Sequence, residues 1–151
     1  MFTNLDDKKS KFILENNYVG HLGYIYQNRP YVVPITYYYD KETNSLICYS
    51  GDGHKMNAMR KNNAVSLQVS EIKSITNWQS IMVHGTFEQH FGSDAKAYLH
   101  KFSLGIKDVI MEQHHEKVNF ISEFSSKIHN DDIPAVFIIK IEEITAKMRR
   151  N

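Results

Sequence analysis

From Tyr31 to Tyr39 the side chains alternate on a two-residue period. Tyr31, Val33, Ile35, Tyr37 and Tyr39 point one way, and Val32, Pro34, Thr36 and Tyr38 the other. That pattern predicts a strand. It returns over Ala64 to Ile72, where Val65, Leu67 and Val69 oppose Ser66, Gln68 and Ser70. It returns again over Trp78 to His90, with Ile81, Val83, Gly85 and Phe87 on one face, and over Pro134 to Met148, where Ala135, Phe137, Ile139 and Ile141 alternate with Val136, Ile138 and Lys140. Tyr18 to Tyr26 and Ser45 to Ser50 are shorter runs rich in strand formers.

Helical spacing is found between these runs. Leu5, Phe12 and Ile13 could share one face of a first helix, capped by Thr3 or Asn4 with Asp6 and Asp7 near its positive end. His54 to Asn62 places Met56 and Met59 together. Ser93 opens a helix with Tyr98, Leu99 and Phe102 inward, and Gly105 is expected to end it. Lys107 to Ile128 reads as helical around Val109, Ile110, Val118, Phe120 and Ile121, with a break near His114-His115.

The punctuation completes the outline. Gln27 to Pro30 is a turn, and Asp40 to Asn44 a polar hairpin loop. Gly20 and Gly23 mark a bulge or a close backbone approach. Pro34 stands inside a strand, where a ladder hydrogen bond belongs, which argues for an edge, a bulge or a break. There is no βαβ rhythm and no fixed repeat. The chain therefore reads as one mainly β domain over residues 1–151, with about six antiparallel strands forming a small closed or split barrel.

Composition narrows the function. Net charge is +1, which gives no global electrostatic case for nucleic acid. Cys48 is a single cysteine in an apolar run, so no internal disulfide is possible. Asp6, Asp7, Lys8, Lys9 and Lys11 break up the first residues, so they lack a signal peptide's apolar centre, and no run is long enough to span a bilayer. A cytoplasmic protein without a membrane partner is the expectation.

The chemistry concentrates after Ser50. Gly51-Asp52-Gly53 can adopt backbone shapes closed to other residues and delivers Lys55 to a helix start. Unpaired N–H groups, the positive dipole end, Lys55 and the Ser50 hydroxyl suit a phosphate. A plain surface loop with a solvated lysine is the competing reading. Met56 stands where a P-loop needs Ser or Thr, and the GxGxxG fingerprint is missing. Eight histidines form no HExxH and no Cys/His cluster, so no metal site is expected. Trp78 could be core or could stack on a flat ring. His54 could serve as a proton donor or pack against the phosphate.

The ordered set R-P-Y-V-V-P-I-T-Y-Y-Y-D, L-I-C-Y-S, G-D-G-H-K, N-N-A-V-S-L and W-Q-S-I-M-V-H-G-T-F-E resembles the flavin-binding split-barrel superfamily of pyridoxamine 5′-phosphate oxidase, and within it the nitroimidazole-resistance-type flavoproteins. The resemblance implies a six-stranded antiparallel split β-barrel of Greek-key order. It also implies a homodimer with one FMN in each interface cleft, and an oxidoreductase passing electrons from a small-molecule donor to an acceptor such as a nitroaromatic. Val33, Pro34, Ile35 and Thr36 would run along the flavin ring. Tyr49 and Ser50 would lie beside the ribityl phosphate, with His54 and Lys55 at the phosphate and Trp78 and Ser80 near the ring or interface. Asp52 would bring an unfavourable charge unless it caps the helix. The oxidase's C-terminal substrate segment has no match. Haem- and deazaflavin-binding members of the superfamily leave other cofactors, and a non-catalytic binding or sensing role, as alternatives.

Overall fold

A computed structural model describes residues 2–114 and 135–150. In chain order the elements are β1 (Phe2–Asn4), α1 (Asp7–Glu15), β2 (Val19–Tyr26), β3 (Arg29–Asp40), β4 (Ser45–Ser50), α2 (His54–Lys61), β5 (Ala64–Ser74), β6 (Asn77–His90), α3 (Gly92–His114) and β7 (Ala135–Arg149). The helical reading beyond His114 lies outside the described residues.

The sheet runs β1-β7-β4-β3-β2-β5-β6, and a further β7–β6 pairing closes it into a barrel of six strands with β1 added alongside β7. Every pairing is antiparallel. Strands β2, β3 and β4 follow one another as hairpins, and β5 returns beside β2, which is the Greek-key order. Closure leaves few exposed edges.

The alternating positions fill the barrel. Ile35, Tyr37, Leu67, Val69, Ile81, Val83, Phe137 and Ile139 are all buried in one cluster, and Met56, Ala58 and Met59 of α2 join it. Burial of an apolar side chain contributes about 1.5–3 kcal/mol, so this layer dominates stability. The start of β7, Val136 to Ile139, is buried on both faces because α3 covers its outer one: Val136 and Ile138 pack with Ile47, Leu99, Phe102 and Ile106.

Several local readings change. Residues Phe2–Asn4 form a strand, and Asp6 caps α1 by accepting from Lys9 N–H at 2.8 Å. Phe12 is exposed, while Ile13 and Leu14 are buried, so Phe12 does not share the inward face. The turn is the two-residue pair Gln27-Asn28, both with positive φ, and Arg29 and Pro30 already pair with Tyr26 and Ile25. Gly105 does not end α3. The helix runs through it, because the absent Cβ is what lets the helix backbone approach the Tyr38 ring. Gly20 has a close neighbour in Leu67, whereas Gly23 is in ordinary contact.

Candidate functional site

The hairpin pairings show where the barrel splits. Strand β3 pairs with β2 from Arg29 to Thr36 but with β4 only from Tyr37 to Asp40, beginning at Tyr37 opposite Cys48. Beyond that point β4 continues along β7 instead, through Tyr49 opposite Val136 and Ser50 opposite Ala135. Residues 29–36 of β3 therefore have one edge without a strand partner among the described residues.

The direction of the backbone groups on that edge follows from one bond. Tyr37 N–H donates to the Tyr18 carbonyl at 2.8 Å, so odd-numbered residues of β3 turn their backbone groups to β2 and even-numbered ones turn away. Val32, Pro34 and Thr36 thus present theirs to the split. Pro34 lacks its N–H where no strand could use it, which explains a proline in mid-strand. The Thr36 N–H and the Pro34 and Thr36 carbonyls are left as a short polar edge. The side chains of Val33 and Ile35 turn into the core, while Pro34 and Thr36 face outward.

Strand β4 leads from the split to the loop before α2. Ser50 is buried, and its hydroxyl donates to the Gly51 carbonyl at 3.0 Å. The Tyr49 ring packs under α3, 5.2 Å from Phe102 and edge-on, so its backbone rather than its ring adjoins the loop. Gly51 and Gly53 do not use positive φ, and a Cβ at either would meet nothing within 4 Å. The expected backbone demand is absent; the two glycines leave the loop bare. Gly53 is the N-cap of α2 and provides no side-chain cap, so the first N–H groups of the helix are not taken by a capping side chain. Asp52 does not cap either: it pairs with Arg60 at 3.1 Å, and Arg60 also donates to Gln89 and Asn57. The Asp52 charge is therefore answered, and Arg60 is engaged. Lys55 is half-buried in the first turn with no carboxylate partner among the described residues.

His54 takes a different position from its neighbour. Its ring lies 4.9 Å from Tyr31, 5.0 Å from Tyr26 and 5.9 Å from Tyr24, and its Nδ1 is 3.1 Å from Tyr24 Oη. Tyr24 and Tyr31 stack at 5.3 Å. Burial, then the neighbouring Tyr31, hold the Tyr24 phenol above its ordinary value, so it stays an O–H group at neutral pH. These tyrosines were not singled out from the sequence. The two-residue turn was the available signal, since it sets Tyr24 opposite Tyr31. Burial likewise pushes the Cys48 thiol up, leaving an inert side chain in the core.

Trp78 and Ser80 lie on β6, with β2 and β5 between them and β3. Three strand spacings make roughly 14 Å. A polar row crosses that outer face: His21 Nδ1 lies 3.3 Å from Gln68 Oε1, and Gln68 Nε2 donates to Ser80 Oγ at 2.8 Å, with His21 itself opposite Pro34. A hollow of about 210 Å³ lined by Gln68, Trp78, Ser80, Met82 and Lys147 opens beside it. A larger hollow of about 480 Å³ lies under α1, between Leu5, Phe12 and Met148, and shares no residue with the split. In one chain Val33 to Thr36 line the open edge of β3, Tyr49 and Ser50 end β4 and lead to His54 and Lys55 at the start of α2, and Trp78 and Ser80 lie three strands from β3 on β6.

This geometry is that of a split β-barrel with an open strand edge on β3 and, after β4, an uncapped helix start. The profile of the pyridoxamine 5′-phosphate oxidase family matches residues 6–148, and the chain belongs to that family. An uncharacterised protein of Rhizobium meliloti is 42% identical over 62 residues, a match spanning 41% of this chain and 40% of that protein's length. Among solved structures, a FAD-binding protein from Mesorhizobium loti superposes with a TM-score of 0.75 at 23% identity, covering 100% of this chain and 98% of its own. A candidate 5-nitroimidazole antibiotic resistance protein from Bacteroides thetaiotaomicron gives 0.66 at 18%, covering 98% and 87%. A FAD- and heme-binding protein from Mycobacterium smegmatis gives 0.69 at 13%, covering 99% and 74%. These likenesses show the shared fold. No helix among the described residues is long and apolar enough to cross a membrane.

Proposed function

We propose that the split is a flavin site and that the protein is an FMN-dependent oxidoreductase acting on a small electrophile such as a nitroaromatic. Two features support this reading: the polar backbone edge of Val32, Pro34 and Thr36 on β3, and the uncapped start of α2 with Lys55, which follows β4 where it parts from β3. The edge suits the carbonyl and N–H groups of a flat ring. The helix start, its dipole and one ammonium suit a phosphate. With Asp52 held by Arg60, no unanswered carboxylate opposes that charge. The same phosphate is present in FMN and in the FMN half of FAD, the flavin bound by the Mesorhizobium loti relative.

A bound flavin would supply the two-electron chemistry, and the chain's own residues would bind, orient and shield it. Val33 and Ile35 hold the edge in place from the core. Pro34 and Thr36 face outward, where a second copy would cover them. The outer face also carries exposed Val19, Ile25 and Val32. In a homodimer about a twofold axis, Trp78 and Ser80 of one protomer would approach the open edge of its partner, which accounts for their separation within one chain.

A second reading is favoured by the position of His54. The expected proton donor, His54, is an exposed residue whose ring rests against Tyr24, Tyr26 and Tyr31. A protein that binds flavin or haem without turnover fits this as well. The absorbance spectrum of the freshly purified protein tests the proposal: flavin bands support it, while a haem Soret band, a deazaflavin band or a cofactor-free spectrum that flavin cannot change would replace it. Given flavin bands, steady-state oxidation of reduced nicotinamide with nitroaromatic acceptors separates an enzyme from a carrier.

A further inference from the structure

Helix α2 has eight residues, about two turns, and such a segment does not hold its own direction. Its cap, Gly53, offers no side chain. Met56, Ala58 and Met59 seat the body of the helix on the barrel core. His54, Ala58 and Lys61 follow the i, i+4, i+7 stripe. At the two ends of that stripe, the His54 ring rests against Tyr24, Tyr26 and Tyr31, and Lys61 Nζ sits 5.4 Å over the Tyr26 ring. Buried Ala58 between them lets the helix lie close to β2. Four aromatic rings thus meet at the first turn, and the Tyr24–His54 contact at 3.1 Å ties them to the α2 backbone.

We propose that His54 is a positioning residue: its clasp on Tyr24, Tyr26 and Tyr31 sets the direction of the first turn of α2, and thereby where Lys55 and the leading N–H groups point. This rests on the phosphate reading of the split. His54 acts through the helix and does not touch the phosphate, because its ring is committed to the tyrosines of β2 and β3. Lys55, one position on, turns by about 100° around the helix and is left for the ligand.

The test compares FMN and riboflavin binding, followed by flavin fluorescence, across three variants. An aromatic contact of this kind is equivalent to roughly a tenfold change in affinity. His54→Ala is expected to weaken FMN by about tenfold while riboflavin changes less than about twofold. His54→Phe keeps the ring against the tyrosines and should return FMN binding to within about threefold of the parent. Tyr24→Phe combined with His54→Ala should be no weaker than His54→Ala alone, since Tyr24 acts through His54. If His54→Phe is as weak as His54→Ala, packing of the ring on the tyrosines is not what supports FMN binding, and the proposal is overturned. Amide hydrogen exchange in the flavin-free protein gives an independent readout. His54→Ala should speed exchange of Asn57 and Ala58 while β6 amides keep their rates; unchanged exchange at Asn57 and Ala58 overturns the clasp. If the parent protein binds neither flavin, the flavin reading falls, and the exchange rates still decide whether His54 orders α2.

Discussion

Gly105→Ala separates three roles a helix glycine can have. At a helix end with positive φ, alanine is strained. In an open mid-helix position it stabilises by about 1 kcal/mol. Here a third role applies. A Cβ at position 105 would lie 2.2, 2.4 and 2.5 Å from Tyr38 Cε1, Cδ1 and Cζ. Ordinary carbon contacts begin near 3.5 Å, so helix and ring must separate by about 1 Å. Tyr38 packs against the cluster that includes Leu99, Phe102 and Ile106, so moving its ring toward the adjoining hollow of about 280 Å³ gives up part of that packing. Overpacking of this kind costs about 1–3 kcal/mol. Set against the helix-propensity gain of about 1 kcal/mol, the net is a loss of up to about 2 kcal/mol. Urea unfolding followed by circular dichroism measures it. In a Tyr38→Ala background the obstacle is gone, and Gly105→Ala should become stabilising by about 1 kcal/mol. An equal effect in both backgrounds, or stabilisation in the parent, would refute the close-approach argument.

Three further outcomes follow from other contacts. Asp40 is buried and accepts from Lys101 Nζ at 2.8 Å and from Thr43 Oγ1, tying α3 to the β3–β4 hairpin. Burial alone would raise its carboxyl, but the Lys101 and Thr43 hydrogen bonds, the Lys101 charge and the Glu42 N–H hold it below its ordinary value. Its stabilising contribution is therefore present above about pH 4 and is lost as pH falls through the lower folded value. Lys101→Met should cost about 1–3 kcal/mol near neutrality, with the difference from the parent shrinking in acid; a gap that widens in acid contradicts the assignment. Val32 is 69% exposed on the outer face; if that face forms the proposed homodimer, light scattering should give a dimer for the parent and a monomer for Val32→Asp, whereas an unchanged mass would remove that face from the interface. Trp78 fluorescence should be quenched when flavin is bound and recover on its removal, and equal emission would place the indole away from the ring.

Most of the barrel was legible because each strand keeps one face buried, which fixes the two-residue period at β3, β5 and β6. Where the reading fell short, the deciding partner is usually distant in sequence. Gly105 reads locally as a helix end, and Tyr38, far away on β3, makes it mid-helix. Asp52, by contrast, is decided nearby: it reads as a cap candidate or a liability, and Arg60, eight residues on, pairs with it. Val136 and Ile138 read only as the alternate face of a strand, and it is α3 that buries them. The open edge at Val33 to Thr36 follows from where β3 leaves β4, and Ser50 and Lys55 follow it along the chain through the end of β4 and the start of α2. His54 departs, because a stripe of tyrosines visible only once β2 and β3 are set in register captures its ring.

Lys55 is the residue on which the phosphate grip depends most directly. Its ammonium and the start of α2 should hold the flavin phosphate, and a charge-assisted hydrogen bond is worth roughly 1.5–3 kcal/mol. Titration of FMN and riboflavin into the parent and Lys55→Ala proteins measures this. The predicted result is a loss of about ten- to a hundredfold for FMN with riboflavin nearly unchanged. Equal losses for both ligands, or none for either, would contradict a phosphate grip at Lys55.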